Sequence, residues 1–345
     1  MGLKVGIARD ERFLEHKTGH LHPEHPKRLT SIYRMIDQEF SGKVIDIKPE
    51  PAFLEHIERV HTPGHIRQML KTAELRLTSL APDTPVSATS YLAAWLAVGA
   101  CLQGVDYLIA HECDAFFALV RPPGHHALPD RAGGFCLFNN IAIAAVYAIE
   151  RYKLERILVI DWDIHHGNGI HDFFYEDRRV FYFSTHDLML YPYSGEIEQT
   201  GKGIGEGYTI NIPLDRTFTD NDVTYIYQEI LTPLIKGYRP QMVMVAAGFD
   251  AHADDPIGRS RLTEKTYAGI TDLLVQLRQT HNHFPLLFSL EGGYDQRSLT
   301  QSVKAVLTEL VNDHETQIAA LSPSQDAINL IERIREIHSR YGVLT

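Results

Sequence analysis

A single α/β domain built on a parallel sheet is predicted by three features. Short apolar runs recur along the chain, stretches with helical spacing separate them, and polar clusters follow the runs. In order, the runs are Lys4 to Ala8, Ala115 to Val120, Arg156 to Asp161, Val180 to Thr185, Met242 to Ala247 and Pro285 to Leu290. Each is apolar on both faces, as a strand covered by helices on two sides must be. Asn139 to Tyr152 and Asp222 to Ile235 carry apolar residues at helical intervals. Such alternation lays strands parallel with crossover helices between them. A last helix is expected over about 323–341: Ser322 and Pro323 supply a cap and a first-turn proline, Ile328, Ile331, Ile334 and Ile337 an apolar stripe, and Gly342 a stop. No repeat, low-complexity segment or Pro/Ser-rich linker divides residues 1–345, so one domain is expected.

Composition narrows the function classes. The chain is 44% hydrophobic and 22% charged, with 33 Lys+Arg against 44 Asp+Glu and a net charge of -11. That balance argues against nucleic-acid binding, which needs a basic surface to release counterions. Cys101, Cys113 and Cys136 are odd in number and lack CxxC spacing. They predict neither a disulfide framework nor a Cys-rich zinc finger, and a cytoplasmic location is the expectation. The start of the chain has no charged segment leading into an apolar one, and apolar residues nowhere run uninterrupted for a membrane span. Neither secretion nor membrane association is expected.

Chemistry concentrates where the predicted strands end, which is where open α/β sheets bind ligands. Arg121 is followed by Pro122-Pro123-Gly124-His125-His126, and Ile160 by the run from Asp161 to Gly169. Ala247 is followed by Gly248-Phe249-Asp250-Ala251-His252-Ala253-Asp254-Asp255-Pro256, and Leu290 by Glu291-Gly292-Gly293-Tyr294. Asp163 and His165 are two apart, so in an extended segment both point to one side. A carboxylate and an imidazole so placed make a metal pair; alone they would more often cap a helix, and it is the full run of acids, amide and histidines from Asp161 to Asn168 that points to a metal. A catalytic zinc takes three such ligands and keeps one position open. Asp255, or failing it Asp254 or Asp250, could supply the third.

His125 and His126, fixed by prolines and a glycine, could act as general base and acid near neutrality. Tyr294, after a turn with little side-chain bulk, could donate to an oxyanion. The glycine-rich run from Gly201 to Gly207 lacks the spacing of a phosphate-binding loop and reads as a plain loop. There is no GxSxG elbow, and no cysteine stands in a protease context. A metal-activated water is the nucleophile that these residues suggest.

Together the motifs resemble the histone deacetylase and acetylpolyamine amidohydrolase superfamily, closest to its class II branch and bacterial relatives. The resemblance runs in family order through His22-Pro23-Glu24-His25-Pro26-Lys27-Arg28-Leu29, Arg121 to His126, Gly134-Phe135-Cys136, Asp161 to Gly169, Gly248-Phe249-Asp250 and Leu290 to Tyr294. It implies an arginase-like α/β domain with a central, mostly parallel sheet of about eight strands flanked by helices. It implies one zinc per chain held by Asp163, His165 and Asp255. His126 would be the general base and His125 its partner, oriented by Asp161, with Asn168 facing His126. Many members carry aspartate where Asn168 stands, and the amide resembles the class II pattern.

The reaction implied is hydrolysis of an N-acetyl amide, whether of acetyl-lysine, an acetylpolyamine or another small acetylated amine. Gly134, Phe135 and Tyr191 resemble the wall of an acyl-lysine tunnel, with tyrosine at 191 in place of the more frequent phenylalanine. Asp83 resembles a rim carboxylate that accepts substrate amide hydrogens. The family also binds structural potassium. Asp161, Asp163, His165, Ser184 and Thr185 match one site, while Phe174, Asp177, Val180 and Tyr208 could supply a second. Two other functions share this pattern. An arginase-like manganese hydrolase would need two metals bridged by extra aspartates, where this chain has Asn168 and His166. An inactive acyl-lysine-binding module would lack the tyrosine or a ligand, and Tyr294, Asp163, His165 and Asp255 are all present.

Overall fold

The computed structural model describes residues 2–75, 78–312 and 321–344. Its strands are β1 (Val5–Ala8), β2 (Ile45–Ile47), β3 (Ser79–Ala81), β4 (Thr84–Pro85), β5 (Ala115–Ala118), β6 (Ile157–Asp161), β7 (Val180–His186), β8 (Thr209–Pro213), β9 (Met242–Ala247) and β10 (Leu286–Leu290). Eight of these form one sheet in the order β2-β1-β5-β10-β9-β6-β7-β8, and β3 and β4 form a separate antiparallel hairpin. Every neighbouring pair in the large sheet is parallel. The six apolar runs are its six interior strands, β1, β5, β10, β9, β6 and β7. All residues of β5, β6, β9 and β10 are buried, as a sheet covered on both faces requires.

The helices are α1 (Lys27–Glu39), α2 (Leu54–Ile57), α3 (Pro63–Leu75), α4 (Ser90–Ile109), α5 (Asn140–Tyr152), α6 (Asn168–Phe174), α7 (Asp220–Tyr238), α8 (Glu264–Thr280), α9 (Gln296–Val311) and α10 (Gln325–His338). α4 packs on β5, β10 and α5, while α1, α9, α8, α7 and α10 pack in succession. α7 starts earlier than its periodicity suggests because Thr219 and Asp222 form a reciprocal capping box. α4 is long and apolar enough by length and composition to cross a membrane, but 67% of its most apolar window is buried inside the protein. It is a core helix here.

The last helix begins two residues later than expected. Ser324, not Ser322, is the cap, its side chain accepting the Ala327 N–H. Ala327, Ile331, Ile334 and His338 are its buried residues, with Ile328 and Ile337 at the edges of the stripe. Gly342 ends the segment at φ 64°, a conformation that glycine adopts freely.

Candidate active site

β5, β10, β9 and β6 are consecutive neighbours in the sheet, so the four polar segments that follow them meet at one edge. The rings of His125 and His126 lie 3.9 Å apart, centroid to centroid. Asp161, the last residue of β6, meets Nδ1 of His125 at 3.1 Å and accepts the Tyr182 hydroxyl at 3.1 Å. Asn168, the first residue of α6, meets Nδ1 of His126 at 2.9 Å through its carbonyl oxygen. A proton on that Nδ1 leaves Nε2 of His126 as the acceptor.

Electrostatics drive the two histidines apart. Burial alone would lower the pKa of His125, but the charges of Asp161, Asp163 and Glu291 outweigh it and hold the imidazole at about 10. His126 moves the other way, pushed well below its usual value by burial and then by the neighbouring His125 and His165. Near pH 7 one ring is therefore cationic and the other neutral.

Two carboxylates crowd the next histidine. Nδ1 of His165 stands 3.0 Å from Oδ1 of Asp163 and 3.0 Å from Oδ2 of Asp250, and donor atoms of these three residues lie within 4.8 Å of one another. Asp255 is buried beside them, while Asp254 is exposed and takes no part. Oδ2 of Asp255 accepts the Tyr294 N–H at 2.6 Å, and Oδ1 accepts those of Ile257 and Gly258. Burial and the charge of Asp250 raise Asp255 to about 7. Buried acids that crowd one imidazole are the donor set of a cation, and the carboxylate and imidazole atoms suit zinc. Asp250, and not the expected Asp255, therefore completes the donor group with Asp163 and His165, while the oxygens of Asp255 are taken by three backbone N–H groups. A Cβ at Gly292 would collide with the carboxylates of Asp163 and Asp250. Glycine there lets the backbone N–H reach Oδ2 of Asp163 at 2.9 Å.

Tyr294 faces this cluster from the end of β10. Its ring stands perpendicular to Phe135 at 5.6 Å, and the Arg28 guanidinium lies 5.1 Å from its centroid. Burial, then the charges of Asp250 and Asp163, push the phenol well above its usual value, so it is protonated and can donate. Tyr191 stands perpendicular to His126 at 4.9 Å. Phe135 and Tyr191 therefore flank the approach to Tyr294 and His126. Asp83 lies at the rim, with Oδ2 accepting the Gly134 N–H at 3.3 Å.

Of the residues expected to bind potassium, Asp161 and Ser184 face each other across the parallel register of β6 and β7, and Thr185 follows Ser184 on β7. Phe174, Asp177 and Val180 follow one another through N–H to carbonyl contacts where α6 ends and β7 begins, and the Tyr208 carbonyl accepts the Tyr182 N–H from β8's side. All three cysteines are free and buried.

Several residues of the site carry roles that spacing alone could not reveal. Oε2 of Glu291 accepts the N–H groups of Gly124 at 2.6 Å and His125 at 3.1 Å, which fixes the segment bearing the histidine pair. Arg28 donates to the carbonyls of Gly293 and Glu291, both at 2.5 Å, and so holds the turn bearing Tyr294. Glu24 bridges Arg28 and Arg121. The only sequence signal for Glu24 and Arg28 was their place in the stretch from His22 to Leu29, which carried a resemblance but no visible chemistry.

Residues 22–310 match the histone deacetylase domain. A probable deacetylase of Archaeoglobus fulgidus is 36% identical over 293 residues, which cover 84% of this chain and 81% of that protein. Histone deacetylase HDA1 of Candida albicans is 33% identical over 374 residues, covering 98% of this chain but only 44% of the relative, so the chain spans less than half of that protein's length. The crystal structure of the HDA15 HD domain superposes with a TM-score of 0.91 at 32% identity, covering 98% of this chain and 95% of that one.

Proposed function

The chain belongs to the histone deacetylase family, and on that premise we propose that it is a zinc-dependent amidohydrolase that removes acetyl groups from N-acetylated amines. The observation that carries this reading is geometric: His125 and His126 lie 3.9 Å apart, held by Asp161 and Asn168, beside the converging donors of Asp163, His165 and Asp250, with the Tyr294 ring packed on Phe135 at the same site. Asp163, His165 and Asp250, whose donor atoms already converge, would hold zinc, and Asp255 would hold the turn bearing Tyr294 by accepting that residue's backbone N–H. Zinc, when bound, would supply Lewis-acid polarisation of the acetyl carbonyl and of a water.

The remaining steps belong to the chain's own side chains. Nε2 of neutral His126 takes a proton from the attacking water as its oxygen bonds to the carbonyl carbon. Tyr294 donates to the oxygen that becomes negative. The cationic His125, pinned by Asp161, keeps a positive charge beside that oxygen. His126 then passes its proton to the leaving nitrogen as the C–N bond breaks, and acetate and a free amine result. Asn168, an amide that cannot bridge two metals as a carboxylate would, is committed to His126, which favours one metal over a bridged pair. Structural potassium would be held by the residues expected near the two ends of β7.

A turnover screen of the zinc-loaded enzyme across acetyl-lysine peptides, acetylputrescine, acetylspermidine and arylalkyl acetamides tests the reading. No turnover on any of them would reject it. Metal content provides a separate check. The wild type should bind about one zinc per chain, and Asp163→Ala, His165→Ala and Asp250→Ala should each lose most of it by elemental analysis. Zinc that survives Asp250→Ala and disappears in Asp255→Ala would move the third ligand to Asp255.

A further inference from the structure

The segment from Gly133 to Cys136 forms one wall of the approach to Tyr294. Gly134 and Phe135 are consecutive residues at φ 55° and 67°. Both lie in the left-handed region, which a phenylalanine does not adopt without support. Successive N–H groups in such turns form a concavity for an anion. The carboxylate of Asp83 fills it. Gly134 donates to Oδ2 of Asp83 at 3.3 Å, Phe135 donates to the Thr84 hydroxyl at 3.2 Å, and that hydroxyl donates to Oδ1 of Asp83 at 2.8 Å. One carboxylate therefore anchors both amides, the second through a threonine that is only 1% exposed. The hairpin of β3 and β4 presents the pair. His22 braces the same place, its ring edge-on to Phe135 at 4.6 Å and its Nε2 at 3.3 Å from the Asp83 carbonyl.

We propose that Asp83 and Thr84 are positioning residues that hold Phe135 in its left-handed conformation and thereby set the bore of the tunnel leading to Tyr294. In this role Asp83 matters to every substrate whose acetylated chain passes Phe135. A rim carboxylate that only receives substrate amides would matter to peptides alone. The inference rests on the proposed hydrolysis for its activity readout and not for its structural one.

Thr84→Val keeps the shape and removes the hydroxyl, and Thr84→Ser keeps the hydroxyl. Two quantities are measured: hydrogen exchange at the amides of residues 133–136, and kcat/KM on an acetyl-lysine tripeptide and on N-butylacetamide, which is the acetylated side chain without a peptide. Thr84→Val should speed exchange at Gly134 and Phe135 by about tenfold, the weight of one hydrogen bond to this group, and lower kcat/KM by about tenfold on both substrates. Thr84→Ser should restore both, and Asp83→Ala should depress both substrates equally. Unchanged exchange in Thr84→Val, or a loss in Asp83→Ala confined to the tripeptide, would overturn the proposal. If Thr84→Val does not fold, Asp83→Asn gives the same exchange reading. A wild type inactive on both substrates would count against the hydrolase reading, while the exchange measurement still decides the clamp.

Discussion

Replacing Tyr294 by phenylalanine should lower kcat by about 10²–10³, the cost of removing one oxyanion donor, with KM and zinc content nearly unchanged. The phenol meets the requirements of a donor. It is held protonated by burial and by the acids Asp250 and Asp163. Among the described residues no protein group accepts its hydroxyl hydrogen, so the donor is free for a ligand. A donor that acts only when charge develops on the acetyl oxygen contributes little to ground-state binding, which is why the loss should fall on kcat. The fold should tolerate the change. The ring keeps its edge-to-face contact with Phe135 and its place under Arg28, and the contact with Asp255 is made by the backbone N–H. Steady-state kinetics on an acetylated substrate, with elemental analysis of the same sample, decides the matter. Turnover near the wild-type level would remove Tyr294 from the reaction.

How much of this was legible beforehand depends on the range of each interaction. The interior strands were visible because burial on both faces leaves a run such as Met242 to Ala247 with no polar position at all. β2 was not, since an edge strand of three residues with one buried position has no pattern to read. Asp163 and His165 were legible as a pair because a spacing of two already fixes their common side. The third carboxylate was not, because Asp250, Asp254 and Asp255 lie in an irregular loop where spacing says nothing about direction. Only burial separates exposed Asp254 from the other two. Asp83 looked like a substrate contact, yet its carboxylate is bonded to Gly134 and Thr84 of its own chain. That partnership joins segments 51 residues apart, and no local rule predicts it.

A buried ion-pair cluster carries the largest expected effect on stability. Glu24→Gln should destabilise the protein by about 3–5 kcal/mol at pH 7, the usual cost of removing one member of a buried ion pair. Glu24 and its partners Arg28 and Arg121 are almost wholly buried. Its carboxylate meets Arg121 Nε at 2.5 Å and the second guanidinium nitrogen at 2.6 Å, and Arg28 at 3.0 Å. Without the charge, two guanidiniums stay buried uncompensated, in a protein whose whole stability is expected to be about 5–15 kcal/mol. His16, 3.5 Å from Glu24, offers no relief, because burial pushes it down to about 3 and leaves it neutral. Burial alone would raise the Glu24 carboxyl, but the two arginines hold it far below its usual 4.5. With the folded-state pKa depressed, the contribution is fully present above the unfolded value and is lost as pH falls below it. Denaturant titrations of wild type and Glu24→Gln should therefore differ by a constant amount from pH 7 down to about pH 5, and the gap should narrow below about pH 4. A gap that stays constant to about pH 3 would mean that the glutamate acts through shape and not charge. The variant should also lose activity beyond what unfolding explains, because Arg28 holds the Gly293 carbonyl and Arg121 leads into the segment bearing His125. Loosening Glu24 loosens both ends of the site at once.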